Sequence, residues 1–334
     1  MFLRRVKPKT TDNIFKEIFS KIYSKLECNI IYVFLCGGKC EENSKEIRND
    51  IKTLLKDLSH NKIEVLYPEE LFFNKDRNLD EFFKKRDLLE LETILAQNSN
   101  IVCIICESYG SATELGAFTN YKEIQKNTLL DKLVAVIYEQ FENDQSFINL
   151  GPIKRIKSKD KNKFKVYKTR KFLRKKGLLE VKKALTLDLI KEFKRICRKN
   201  NSVSDSNRIF LKEDNKLNNF IGLSYLILLL VFFYEKIDNT LITQILKKEL
   251  SELKIIDLNN KDDISKFDDY FKMSKRFLFE IKEFLLKNKD DSWVLSSKGF
   301  TFIKNDILNI LKINKRDIDY IRIKILGQQL YNKI

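Results

Sequence analysis

Apolar residues along this chain follow two recurring patterns. Residues 29–35, Ile63–Leu66, Ile101–Cys106 and Leu133–Tyr138 are short, almost wholly apolar runs, as expected of strands buried on both faces. Between them, residues 14–26, Ile47–Leu58, 82–97 and 113–125 repeat their apolar positions every three or four residues, which predicts amphipathic helices. Tyr67-Pro68 stops the second strand, because a residue before proline is restricted in conformation. Strands alternating with helices predict an α/β fold, a parallel sheet flanked by helices, over residues 28–152, with a separate N-terminal helix in residues 1–27.

The pattern changes after Gly151-Pro152. From Lys154 to Lys199 basic residues far outnumber acidic ones, and Phe164, Tyr167, Phe172 and Phe193 are interleaved with them. The chain carries a net charge of +17, which a generally lysine-rich composition could explain, but such a composition does not explain clustering. Flexible cations suit phosphates and aromatic faces suit bases, so residues 153–205 are a candidate nucleic-acid segment, with Arg170, Lys171, Arg174 and Lys175 at its centre. The alternative is a solvated basic helix pair with its aromatics in the core.

Residues 206–334 read as mainly helical. Phe220–Tyr234 is nearly all apolar, yet shorter than the roughly 20 residues a membrane span needs, and so reads as a buried helix. Helices are expected over 241–253, 267–286 and 300–311, with Trp293-Val294-Leu295 after a polar turn. Helices followed by a two-stranded hairpin suggest a winged-helix-like module, whose fold alone does not say whether it meets DNA or protein.

The six cysteines form no disulfide framework, and Cys103 and Cys106, three apart on a strand, face opposite ways. With His60 as the one histidine, the sequence argues against a histidine-based zinc site or a Ser-His-Asp triad, and no metal is expected. Met1 to Lys9 has basic residues but no apolar stretch after them, so a cytoplasmic protein with reduced thiols is expected.

The candidate chemistry lies in Glu107-Ser108-Tyr109-Gly110-Ser111-Ala112-Thr113-Glu114-Leu115-Gly116, between a strand and a helix. In open α/β sheets ligands bind at the carboxyl ends of strands, and helix N-termini favour anions or polar sugars. Gly110 is expected in a turn conformation closed to other residues. A carboxylate here could attack or stabilise a cationic ribosyl centre, since N-glycosidic cleavage is oxocarbenium-like. A second reading stays open on pattern alone: Ser111-x-x-Glu114 is a capping box, with Glu114 folded back to the helix start.

Four segments in order add a resemblance. Val33-Phe34-Leu35-Cys36-Gly37-Gly38, the helix around Glu92, the Glu114 string and Ser146-Phe147-Ile148-Asn149 resemble nucleoside 2-deoxyribosyltransferases, whose fold is Rossmann-like. Phe34-Leu35-Cys36-Gly37-Gly38, Tyr67-Pro68-Glu69-Glu70-Leu71-Phe72, Thr113 to Phe118 and Ser146 to Pro152 together are similar to the effectors of type II retrons, which join such a domain to a winged-helix-like one.

The resemblance implies Glu114 as nucleophile or oxocarbenium stabiliser and Glu92 as a carboxylate contacting substrate. It also implies a ligand pocket at Phe34, Gly37, Gly38, Ser108, Gly110 and Ser111, and an Asn149 that reaches a second subunit, hence a homo-oligomer or higher assembly. Where the transferases have tyrosine the chain has Phe34, and where they often have a base-reading aspartate it has Ser108. Hydrolysis of a nucleotide with water as acceptor then fits better than base exchange. For the retron effectors the implied substrate is NAD, cut at the nicotinamide–ribose bond, with no other cofactor. The implied partners are the retron reverse transcriptase and its branched RNA–DNA, and the implied outcome is an aborted phage infection. The rival expectation is a nucleotide-sensing winged-helix DNA-binding regulator without catalysis.

Overall fold

The computed structural model describes residues 14–26, 30–38, 47–73, 81, 83–84, 86–120, 129–167, 178–199, 217 and 219–331. The chain forms two compact units, one of Cys28–Val203 and one joining Met1–Glu27 to Ser204–Ile334. In chain order the helices are α1 (Ile14–Lys21), α2 (Ile47–Leu58), α3 (Pro68–Phe72), α4 (Leu88–Asn98), α5 (Tyr109–Asn120), α6 (Lys154–Lys159), α7 (Leu178–Lys199), α8 (Phe220–Tyr234), α9 (Asn239–Glu252), α10 (Lys261–Arg276), α11 (Ser297–Phe302) and α12 (Lys315–Tyr331).

The first unit is a five-stranded parallel sheet of β1 (Ile31–Cys36), β2 (Ile63–Leu66), β3 (Ile101–Cys106), β4 (Leu133–Tyr138) and β5 (Phe164–Tyr167), in the order β2-β1-β3-β4-β5. The four apolar runs form the four predicted strands. The chain crosses from the β2 side of β1 to the β3 side, so the crevice between β1 and β3 at their carboxyl ends is the switch point where such sheets receive ligands. Alternate positions of β1 serve opposite faces. Val33 and Leu35 join α2 and α7 in one core, which holds Ile51, Leu55, Leu185, Leu189 and Phe193. Phe34, on the other face, meets Phe118 of α5 edge-on at 6.0 Å.

Most of the aromatics interleaved in the basic segment take places in the sheet or the core. Phe164 and Tyr167 belong to strand β5, and Tyr167 and Phe193 are buried, so three of the four interleaved aromatics are sheet or core residues rather than stacking platforms. Phe172, Arg170, Lys171, Arg174 and Lys175 lie outside the described residues. Helix α7 covers the α2 face of the sheet, with Lys182 paired to Asp50. Its outer positions, including Lys191, Lys194, Arg198 and Lys199, are exposed.

In the second unit, α8 is a buried helix: only Tyr234 of its fifteen residues escapes full burial. The Asn219 side chain caps it, accepting the amides of Ile221 at 2.9 Å and Gly222 at 3.2 Å. Among the described residues no helix is long and apolar enough to cross a membrane. Ile237 bridges to Trp293, α9 and α10 follow, and an antiparallel hairpin pairs β6 (Leu285–Lys287) with β7 (Trp293–Leu295). The helix predicted over 267–286 begins earlier, at Lys261, and ends in a wider turn at Phe277–Ile281, because Leu285 and Leu286 pair as a strand.

Candidate active site

The crevice between β1 and β3 is built by the turns that leave those strands. Helix α5 begins at Tyr109, four residues before its predicted start. Ser108 and Ser111 close its first turn reciprocally. Ser108 Oγ accepts the Ser111 amide at 3.2 Å, and Ser111 Oγ accepts the amides of Ser108 at 3.0 Å and Glu107 at 3.1 Å. This is a capping box moved three residues towards the N-terminus, with serine in both places. The Ser111-x-x-Glu114 box is therefore not formed. Ser108 and Ser111, predicted at the ligand, act first as the frame of the loop.

Glu114, released from capping, points inwards. One of its carboxylate oxygens is buried with no hydrogen-bond partner. Burial raises its pKa; the Cys36 thiol and the Arg48 guanidinium favour its charged form, Glu69 opposes it, and the net shift is upward. Glu92 of α4, also buried, is pushed up to about 8 by burial, then by the charges of Glu114 and Glu69, against the pull of Arg48. Such a carboxyl carries its proton at neutral pH. The structure thus brings together the two predicted carboxylates from consecutive helices.

Gly37 and Gly38 follow β1 as predicted. The Gly38 amide donates to Glu107 Oε2 at 3.4 Å, while Tyr138 Oη donates to Glu107 Oε1 at 2.5 Å. Glu107 therefore ties together the ends of β1, β3 and β4. At Gly37 an added methyl would lie 3.0 Å from Arg48 Cδ, so the loop and the arginine are in close approach.

Three predicted residues do not take their expected places. Phe34 is fully buried against Phe118, which makes it a core residue. Gly110 lies within α5, and no described glycine has a positive φ, so the special turn conformation is not used. Asn149 donates its side-chain amide to the carbonyls of Phe141 at 2.6 Å and Asp144 at 2.8 Å, closing a turn of its own chain. Beside it Phe147 and Leu150 are exposed.

Sequence reasoning missed Arg48, Glu69, Glu107 and Tyr138. Arg48 adjoins the apolar positions Ile47, Ile51 and Leu55 of α2 and reads as an ordinary flank. Glu69 did stand within a quoted motif, and was the available signal. The described cysteines, Cys36, Cys103, Cys106 and Cys197, are free thiols, and among the described residues no three His, Cys, Asp or Glu side chains converge as metal ligands do.

The family model of the STM3845 retron effector protein matches residues 44–283. The chain belongs to the STM3845 retron effector family. That match includes Arg48, Glu69, Glu92, Glu114 and Asn149, whereas Gly37 and Gly38 precede it. The chain is also similar to two Escherichia coli proteins, of retron Ec86 and retron Ec73, whose names propose a ribosyltransferase/DNA-binding protein. Identity to the first is 34% over 127 residues, covering 37% of this chain and 36% of that protein. Identity to the second is 34% over 125 residues, covering 37% of each. The chain thus spans little more than a third of the length of the curated relatives it matches, and of the family's features the site described above is what the geometry carries furthest.

Proposed function

We propose that this retron effector is an N-glycosidase of the nucleoside deoxyribosyltransferase-like type, cleaving the nicotinamide–ribose bond of NAD or a related nucleotide. The observation that carries the reading is Glu114: a half-buried side chain at the β1/β3 switch point, freed from helix capping, with one buried carboxylate oxygen that has no partner. Its carboxylate attacks, or stabilises charge on, the anomeric carbon. The C1′–N bond breaks with its electron pair leaving on nicotinamide, which departs neutral. Water then supplies the hydroxyl at C1′ and releases one proton. Glu92, protonated at neutral pH, is a hydrogen-bond donor for a ribose oxygen or for Glu114. The ribosyltransferase wording in the names of the two relatives supports glycosyl transfer as the reaction type.

Family membership supports an anti-phage role in which the effector is held by the retron reverse transcriptase and its RNA–DNA until infection. A basic surface supports the nucleic-acid contact. Lys154, Lys161, Lys194 and Arg198 are exposed, whereas nearby Lys159 and Arg195 pair with Asp131 and Asp160. Exposed Phe147 and Leu150 beside Asn149 support self-association.

The second reading, a winged-helix DNA-binding regulator without catalysis, is favoured by one observation. The order α8, Ile237 bridge, α9, α10, β6, β7 is the one a winged-helix module would have, and supports that reading. One experiment separates the readings. Purified protein incubated with NAD should release free nicotinamide, and Glu114→Gln should lower the rate by several orders of magnitude while keeping the fold. Equal turnover by wild type and variant removes Glu114 from the chemistry; no release from NAD, nucleosides or nucleotides favours the regulator.

A further inference from the structure

Glu92 and Glu114 set two carboxyl groups side by side, and the charge that acts on both matters. Three elements hold one cation beside it. Arg48 of α2 is buried, and its Nη2 donates to Glu69 Oε1 at 2.7 Å. Its guanidinium carbon lies 4.6 Å from the centre of the Tyr67 ring, and Tyr67 Oη donates to the Arg48 carbonyl at 3.3 Å. Its aliphatic stem rests on Gly37, the residue after Cys36, and Cys36 lies against Glu114. A guanidinium fixed on one side by a carboxylate and on the other by an aromatic face has little freedom to swing away.

We infer that Arg48 is a positioning residue, clamped by Glu69, Tyr67 and Gly37 so that its fixed positive charge stands beside the Glu92–Glu114 pair. The inference rests on the reading of Glu114 as the reacting carboxylate. Arg48 itself touches no substrate in this role. The groups facing the pair are Cys36 from β1, Arg48 from α2 and Glu69 from α3, with Cys106 at the end of β3 beside Glu114. Arg48 is the cation among them, and it acts on both carboxylates. Without it, burial and the Glu69 charge would both favour a protonated and therefore inert Glu114.

The test needs no substrate. Protonated carboxyl groups have their own carbonyl band in the infrared, so the full chain can be titrated directly. In an Glu92→Gln background the remaining site band belongs to Glu114 and should vanish on adding Glu114→Gln. Adding Arg48→Gln, which keeps a donor for Glu69 but not the charge, should move the Glu114 titration up by about 1–3 pH units. Arg48→Lys should restore most of that shift. If Arg48→Gln does not fold, Arg48→Met in the same background serves. A midpoint unchanged within about half a unit in the neutral variant overturns the inference, as does an equal shift in Arg48→Lys. The acid limb of the activity profile should move with the band. Absence of nicotinamide release by the wild type would remove the enzyme reading and leave the titration intact, while an unmoved band with normal release would remove only Arg48.

Discussion

Ser108 and Ser111 cap one another across the first turn of α5, with the Ser111 amide 3.2 Å from Ser108 Oγ and the Ser108 amide 3.0 Å from Ser111 Oγ. Because serines do this work, the carboxylate one turn further on is left for the crevice. Ser108→Ala should therefore cost about 1 kcal/mol of stability, the usual value of a lost cap. Glu114→Gln should leave stability unchanged or raise it, since it removes a buried charge. Chemical denaturation followed by circular dichroism compares the two. A larger loss for Glu114→Gln than for Ser108→Ala would return Glu114 to a capping role.

Glu92 sets a pH dependence whose sign follows from its shift. Its pKa rises from the ordinary 4.5 to about 8 on folding, so the folded chain binds the extra proton between those values. The stability that Glu92 contributes is then greatest below about 4.5, falls as pH rises through the window, and levels above about 8. Glu92→Gln should flatten that fall and add up to a few kcal/mol near pH 8. Denaturation midpoints measured from pH 5 to 8.5 decide it; a variant that loses stability as steeply as the wild type would show that Glu92 does not titrate there.

Basic residues gather at the end of the sheet away from the carboxylates. Lys161 precedes β5, and Lys199 of α7 acts on Lys163, whose buried Nζ donates to the carbonyls of Leu130 at 3.1 Å and Asp131 at 2.6 Å. Replacing Lys154, Lys161, Lys194 and Arg198 with glutamine should weaken nucleic-acid binding. It should also flatten the log affinity–log salt slope by about 0.7–0.9 per lost phosphate contact. Turnover dependent on Glu114 should persist. Binding unaffected across a salt series would make this surface a solubilising one.

Two glycines should respond oppositely to alanine. At Gly299 a methyl would lie 2.2 Å from the Phe284 carbonyl oxygen, so Gly299→Ala should destabilise the helical unit by about 1–3 kcal/mol or more. At Gly116, inside α5, nothing lies within 4 Å, and Gly116→Ala should be neutral or stabilise by up to about 1 kcal/mol. Thermal unfolding of both variants tests the pair, and a stable Gly299→Ala protein would mean that the α11 start shifts freely.

Much of the sheet was legible because a strand buried on both faces has to be apolar throughout, as Ile101–Cys106 is. Strand β5 was not, because Phe164-Lys165-Val166-Tyr167 sits at the sheet edge, where a lysine is tolerated, inside a lysine-rich stretch. In the site, the position of Glu114 was legible from its strand-to-helix setting, but its freedom was not. Ser108-x-x-Ser111 and Ser111-x-x-Glu114 are equally good caps on paper, and where the helix begins decides between them. Arg48 and Glu69 lie 21 residues apart, and only folding brings their charges together.

The chain enters and leaves the α/β unit from the other one. Helix α1 packs with α12, the turn Tyr23–Lys25 that follows it meets α8, and Glu17 pairs with Lys324, 307 residues later. During synthesis the α/β unit therefore has all of its own strands and helices while α1, made before them, still waits for its partners. Until then Ile14, Phe15 and Ile18 have no core to enter. A ribosome that stalls or a protease that cuts after residue 203 would leave a folded crevice carrying an uncovered apolar helix, a form prone to stick to chaperones or to itself. The order of synthesis thus leaves α1 uncovered until α12 has been made.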